Sequence, residues 1–387
     1  MDITPPILTL PVELLQQVIS DYDNVYSAEE SSTSHSLLSL RLVCKEFNAA
    51  TFDQVATKYF RIWECCLMLP SHVEKLIKFL DTEAIARELR TVRLMMAPYK
   101  EMSDYDTKCP PAKPDGARLH CLLSRIKENC MLDLELGQHS KHLGFGQLCK
   151  HPNIIEWNLE TLKAVERAGC QIQRLCLAEH AMPATGFSIR PGSKLVKALT
   201  QLRELHCDFT LSGMTRADID SFYSLQKITA CAFQLHYLRL SMGDYKRGKR
   251  ASNGDDLATT ILLSCSANTL SKLTLWDLHA EPETLVQGLH KFQGTLHDIT
   301  LYGVVLLSAQ ESWSKVLRVA QNMPKLKSLY LGFCMQAANG DQWRVLWKDC
   351  PHNTKGSDFQ FDRPEAGTVR EKIDFALKRG LRFSEAF

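Results

Sequence analysis

Apolar residues fall into one recurring pattern through the second half of the chain. It reads I-Q-R-L-C-L (172–177), L-R-E-L-H-C (202–207), L-H-Y-L-R-L (235–240), L-S-K-L-T-L (270–275), L-H-D-I-T-L (296–301) and L-K-S-L-Y-L (326–331). The starts are 30, 33, 35, 26 and 30 residues apart. Positions four and six are apolar and alternate with outward positions three, five and seven, the period of a strand with one buried face. Helix-like stretches separate the runs at 193–200, 216–226, 257–265, 282–292 and 311–322. Arg174, Glu204, Arg239, Lys272, Asp298 and Lys327 interrupt the runs. Strands buried on both faces of a doubly wound sheet would be near-continuously apolar, so one face here is expected to meet water. A run E-L-R-T-V-R-L (88–94) is a candidate early, isolated member.

The first fifty residues carry a different period. Leu14, Leu15, Val18 and Ile19 recur at helical spacing, as do Leu37, Leu40, Val43, Cys44 and Phe47. Pro11 suits a first helical position and Glu13 its first turn. The link between the two, Asp21 to Ser36, is polar and acidic and predicts a solvated loop. Two such short helices need a third surface to be stable. Further on, Phe52, Val55, Ala56, Tyr59 and Phe60 share a helical face, and Ser71 with Glu74 forms a capping-box pattern ahead of Val73, Leu76, Ile77 and Leu80. Residues 97–118 read as a loop, and Trp157, Leu159, Leu162 and Val165 mark another helix. The last segment lacks the repeat; a helix around Val369, Ile373, Phe375, Ala376 and Leu377 is expected to close the open end.

The order Leu-Pro-x-Glu-Leu-Leu followed by Leu-x-x-Leu-Arg-Leu-Val-Cys-Lys-x-Phe resembles the F-box, the module that docks substrate receptors onto the Skp adaptor of cullin-RING ubiquitin ligases. The resemblance covers about the first fifty residues, with a link longer than is usual for the family. It implies adaptor-binding roles for Leu10, Pro11, Leu14, Leu15, Ile19, Leu40, Val43, Cys44 and Phe47. The strand–helix repeat resembles a leucine-rich-repeat solenoid, with spacings mostly above its usual 20–29 residues. The expected class is α+β to α/β repeat: an F-box at 1–50, a helical linker with irregular first repeats at 51–168, a solenoid of concave parallel strands and convex helices at 169–350, and a cap at 351–387.

Composition limits the rest. The chain has 387 residues, 45% hydrophobic and 23% charged, which fits two domains or a repeat array. The net charge of +2 makes no whole-chain case for nucleic acid or an anionic membrane. Residues 1–50 hold seven acidic and two basic side chains, a balance of −5, so the remainder is +7 (44 minus 37). The opening M-D-I-T-P-P lacks the basic start of a secretory leader, and the longest uncharged run, Leu257 to Ser271, is too short and polar to span a bilayer. Fourteen cysteines without C-x-x-C pairs suggest reduced, packed thiols in cytosol or nucleus. Cys65 and Cys66 fall in an apolar run that reads as helical. No G-x-S-x-G, H-E-x-x-H or Walker loop occurs, and His139 with His142 lacks a third ligand. The basic run K-R-G-K-R (246–250) reads as a solvated loop, or as a contact for an acidic or phosphorylated partner or a nuclear address.

The pleat places Glu204, His206 and Asp208 outward on one rung, Tyr237 and Arg239 on the next, then Lys272, Thr274 and Trp276, then Asp298, Thr300 and Tyr302, then Ser328 and Tyr330. Of these, Tyr237, Arg239, Lys272, Trp276, Asp298, Tyr302 and Tyr330 are the expected target-binding residues, since exposed aromatics beside charges are typical interface anchors. The expectation is a non-catalytic substrate receptor of an SCF-type ligase. Its partners would be the Skp adaptor, the cullin scaffold and a target protein, with no cofactor, nucleic acid or membrane. The alternative is a repeat scaffold without a link to ubiquitination.

Overall fold

The computed structural model describes residues 11, 14–17, 45, 47, 51–52, 55, 60–67, 70–96, 115–126, 130–136, 152–177, 193–208, 225–241, 257–307, 312–338, 341–346, 358–361, 369–379 and 382–385. From the first strand onward, strand and helix alternate. The order is β1 (Ile62–Cys66), α1 (Pro70–Leu80), α2 (Glu83–Glu88), β2 (Thr91–Met95), α3 (Gly116–Arg125), β3 (Met131–Leu136), α4 (Pro152–Ala168), β4 (Ile172–Leu177), α5 (Lys194–Leu199), β5 (Glu204–Asp208), α6 (225–231) and β6 (Tyr237–Ser241). Then follow α7 (Leu257–Ser264), β7 (Lys272–Trp276), β8 (His279–Ala280), α8 (Pro282–Lys291), β9 (Asp298–Tyr302), β10 (Val305–Leu307), α9 (Ser312–Gln321), β11 (Ser328–Gly332) and β12 (Met335–Ala338). The chain closes with β13 (Asp341–Leu346), β14 (Asp358–Phe361), α10 (Val369–Arg379) and β15 (Arg382–Glu385).

All six runs form strands where the alternation puts them, and nine parallel strands stand in chain order: β1-β2-β3-β4-β5-β6-β7-β9-β11, with β14 antiparallel at the far edge. Among the described residues the array therefore begins at Ile62. The run at 88–94 supplies β2, which pairs in register on both sides. Two buried columns hold the sheet to its helices. One runs Cys65, Leu94, Leu134, Leu175, Leu205, Leu238, Leu273, Ile299 and Leu329. The second runs Leu136, Leu177, Cys207, Leu240, Leu275, Leu301 and Leu331. Ile172 is also buried, paired with Leu132, and is followed by a bulge in which Gln173 is the extra residue.

The helices make one row against these columns. α1 packs on α3, α3 on α4, α4 on α5, α7 on α8, α8 on α9 and α9 on α10. Among the described residues no helix covers the opposite face. That is the outcome expected when every parallel crossover has the same hand and strand order never reverses. The architecture is thus an α/β repeat, not a doubly wound sheet. Local chemistry sets the helix starts. Asp115 accepts from the Ala117 and Arg118 amides, both at 3.1 Å, and starts α3 inside the segment expected to be loop. Ser193 caps α5 by accepting from Val196 at 3.3 Å. Pro282 sits in the first turn of α8.

Several sequence expectations need correction. Ser71 is not a cap: α1 starts at Pro70, so Ser71 lies within the helix, and Glu74 pairs with Arg118. Cys65 and Cys66 belong to β1, because two adjacent apolar thiols fit alternate strand faces as well as a helix. Pro11 lies ahead of the helical residues 14–17, and its carbonyl accepts from Leu14 and Leu15 at 3.0 and 3.1 Å. Of the helix expected at 216–226, residues 216–224 lie outside the described set and 225–226 are helical, in a run that continues to 231.

The unexpected element is a second sheet, ordered β15-β13-β12-β10-β8. After β7, β9 and β11 the chain turns a corner at Asp277, Gly303 and Phe333, whose φ values are 48, 63 and 48°. The Asp277 amide donates to Tyr302 O and the Gly303 amide to Gly332 O, both at 2.8 Å. Leu278, Val304 and Cys334 then point into the core, and β8, β10 and β12 pair in parallel. Trp313 of α9 fills the angle, fully buried, and its Nε1 donates to Met335 O at 2.9 Å.

Candidate binding surface on the open sheet face

The outward columns form a continuous surface in two unlike halves. One row crosses nine strands as Glu64, Arg93, Asp133, Arg174, Glu204, Tyr237, Lys272, Asp298 and Ser328. Its first half alternates in sign and pairs its charges with one another: Arg93 pairs with Glu64 and, at 3.7 Å, with Asp133, and Arg174 pairs with Glu204 at 3.4 Å. Burial raises the Asp133 carboxyl above its ordinary range, opposed by Arg93 and Arg174. Cross-strand charges of opposite sign stabilise the sheet but leave little field for a partner.

The second half is aromatic. Lys272 Nζ lies 4.6 Å from the Tyr237 ring centre, and Arg239 Cζ 4.5 Å from that of Trp276. Trp276 meets Tyr302 at 5.5 Å between centroids, and Tyr302 stacks on Tyr330 at 6.4 Å with planes 6° apart. Phe333 meets Tyr302 edge-on at 5.2 Å. This contact network leaves Tyr237, Trp276, Tyr302 and Tyr330 half-buried, where solvent-facing side chains were expected. Gly332 makes the stack possible: a Cβ there would lie 2.6 Å from the Tyr302 ring and 2.8 Å from the Tyr330 hydroxyl.

All seven expected target-binding residues, Tyr237, Arg239, Lys272, Trp276, Asp298, Tyr302 and Tyr330, therefore share this face on four neighbouring strands. Phe333 was missed. It lies one residue past its strand, at the corner position that holds Asp277 and Gly303 in the preceding units. The strand alternation stops before it.

Of the nine amino-terminal residues, Leu10, Ile19, Leu40, Val43 and Cys44 lie outside the described set. Leu15 and Phe47 are buried by the chain itself, while Pro11 is exposed and Leu14 is 47% exposed. The basic run 246–250 and the pair His139 and His142 also lie outside the described residues.

One cluster has the order of a nucleophile, a base and an orienting acid. Cys176 Sγ is 3.6 Å from His206 Nδ1, and His206 Nε2 is 3.7 Å from Glu204 Oε2. Its environment opposes nucleophilic chemistry. Burial pushes the Cys176 thiol up to about 12, so it holds its proton at neutral pH. The neighbouring strand amides belong to the ladder with β3 and β5, which leaves no free N–H pair at the sulfur to receive an oxyanion. Tyr237 packs edge-on to the His206 ring at 4.6 Å. Burial likewise raises Cys65 to about 12, and Cys130 and Cys170 to about 11. Among the described residues no group of three or more His, Cys, Asp or Glu could hold a metal ion, and no helix is long and apolar enough to cross a membrane. No protein-family model matches the chain, and no curated protein matches it.

Proposed function

We propose that the chain is a non-catalytic substrate-recognition subunit of an SCF-type ubiquitin ligase, in which a leucine-rich-repeat-like array presents a target to the ligase docked on an amino-terminal F-box. The observation that carries the target-binding half is the aromatic row on the open sheet face. Trp276, Tyr302, Tyr330 and Phe333 form one network on a face that no helix covers among the described residues, flanked by Arg239 and Lys272. Clustered Trp, Tyr and Arg side chains are the residue types that carry most energy in protein interfaces. The ligase half rests on the resemblance of residues 8–48 to the F-box. Holding target and ubiquitin donor on one particle replaces a bimolecular encounter by a tethered one. Among the described amino-terminal residues, Leu14 is an apolar side chain open to an adaptor, being exposed beside the buried Leu15.

A second function, a scaffold whose first helices merely cap the array, gains from one observation: Leu15 and Phe47 are covered by the chain itself. Co-expression of the full chain with the Skp adaptor separates the two. Leu14→Asp should abolish co-elution by forcing an unpaired carboxylate into the interface, without unfolding the chain, because Leu14 is solvent-facing. Absence of co-elution with the unaltered chain, or equal co-elution of the variant, would favour the scaffold.

A further inference from the structure

The two halves of the open face treat their cations differently. In the first, each arginine of the outward row is answered by a carboxylate: Arg93 by Glu64 and Asp133, Arg174 by Glu204. In the second, Lys272 and Arg239 lie over the rings of Tyr237 and Trp276. Neither forms an ion pair with a described residue. A guanidinium over an indole ring spends none of its N–H donors on a carboxylate, and a carboxylate arriving from solvent can meet them.

Phe333 adds a second, independent signal. The corner requires φ near +50°, and the two preceding units meet that need with Asp277 and Gly303, residue types that tolerate it. A bulky phenylalanine at φ 48° is an outlier. Core burial does not explain it, since Phe333 is 39% exposed. Strain of this kind persists where surrounding structure enforces it and clusters at ligand clamps. Here it projects an aromatic edge beside Tyr302, next to the only stretch of the described open face where cations rest on rings.

We propose that this half of the face binds an acidic peptide segment of a partner protein, with an Asp or Glu carboxylate on Arg239 and a neighbouring apolar side chain against Tyr302 and Phe333. The assignment rests on the target-binding role of this face and not on adaptor docking. Charge favours a carboxylate over a phosphoryl group. Asp298 stands in register beside Lys272 and Asp208 faces outward on the strand next to Arg239, so the two cations carry no surplus of charge that would favour a dianion. The strand amides are consumed in the ladder, so the backbone offers no anion nest there.

The test uses the purified full-length chain to select from a random dodecapeptide display library. The strongest peptide is then synthesised with Glu, Gln or phosphoserine at its acidic position. Enriched sequences should carry Asp or Glu within a few residues of Phe, Leu or Trp. Glu→Gln in the peptide should weaken binding about tenfold or more, and that difference should vanish on Arg239→Gln protein, the signature of a direct pair. Phosphoserine should bind no tighter than Glu. Phe333→Gly should weaken binding at least about tenfold with an unchanged or higher melting temperature, because glycine relieves the backbone. Enrichment of basic or uncharged peptides, no enrichment, tighter phosphoserine binding, or a Phe333→Gly protein that melts lower and binds normally would overturn the proposal. Peptides lost with Trp276→Ala but retained by Arg239→Gln would overturn the acidic assignment while leaving the face a target site.

Discussion

At the scale of single residues, burial decides what a side chain does on this sheet. Leu238 and Leu273 are fully buried while their neighbours Tyr237 and Lys272 share a cation–π contact on the other face. The strand alternation in the sequence made this legible, because a strand with one wet face must alternate. The half-burial of Trp276 and Tyr302 was not legible, because it depends on side chains of adjacent strands leaning together, and on the missing Cβ at Gly332. The thiols carry a prediction at this scale. Cys65 and Cys176 are raised from near 9 to about 12 and Cys207 is raised well above 9, each by burial first. Above pH 9 the unfolded chain gives up these protons while the folded chain keeps them. Stability is therefore intact below pH 9 and falls as pH rises from 9 towards 12. Urea midpoints should decline over that window, and Cys207→Val should make the decline shallower; an identical pH slope would contradict the burial argument. Native Cys65, Cys176 and Cys207 should also resist iodoacetamide at pH 8 until denaturant is added.

At the scale of elements, the six strands and most helices were readable from periodicity, and the corner was not. A run such as L-H-D-I-T-L announces a strand because alternation repeats over several residues. β8 is two residues long and β10 three, too short for any period to show. The corner itself rests on φ, which sequence reveals only through residue type: Asp277 and Gly303 are hints, whereas Phe333 conceals the third corner. Gly303 makes this testable. Its φ is 63°, and an added Cβ would lie 2.2 Å from Asp277 Oδ1. Gly303→Ala should cost roughly 1–2 kcal/mol for the left-handed backbone alone, more once Asp277 is displaced. Gly294, where an added Cβ meets nothing within 4 Å, should tolerate alanine. Chemical denaturation of the two variants compares them directly, and equal stability would mean that the corner yields.

At the scale of the whole molecule, an uninterrupted strand order has one structural consequence: with the helices on one side, the described residues leave a long sheet face that no helix covers. On that face charges answer one another in one half, and cations rest on rings in the other. The sequence exposed the face and seven of its residues. It did not reveal the division, which arises from pairing across strands 30 or more positions apart in the chain, such as Arg174 with Glu204 and Arg239 with Trp276. The central claim is that this face and the amino-terminal helices do separate jobs, one holding a target and the other a ligase. The most direct measurement is the cellular half-life of proteins that co-purify with the intact chain and are lost with Trp276→Ala. Under the receptor account, Leu14→Asp leaves these proteins bound yet lengthens their half-lives several-fold. Half-lives that stay the same with Leu14→Asp would contradict it and make the chain a scaffold.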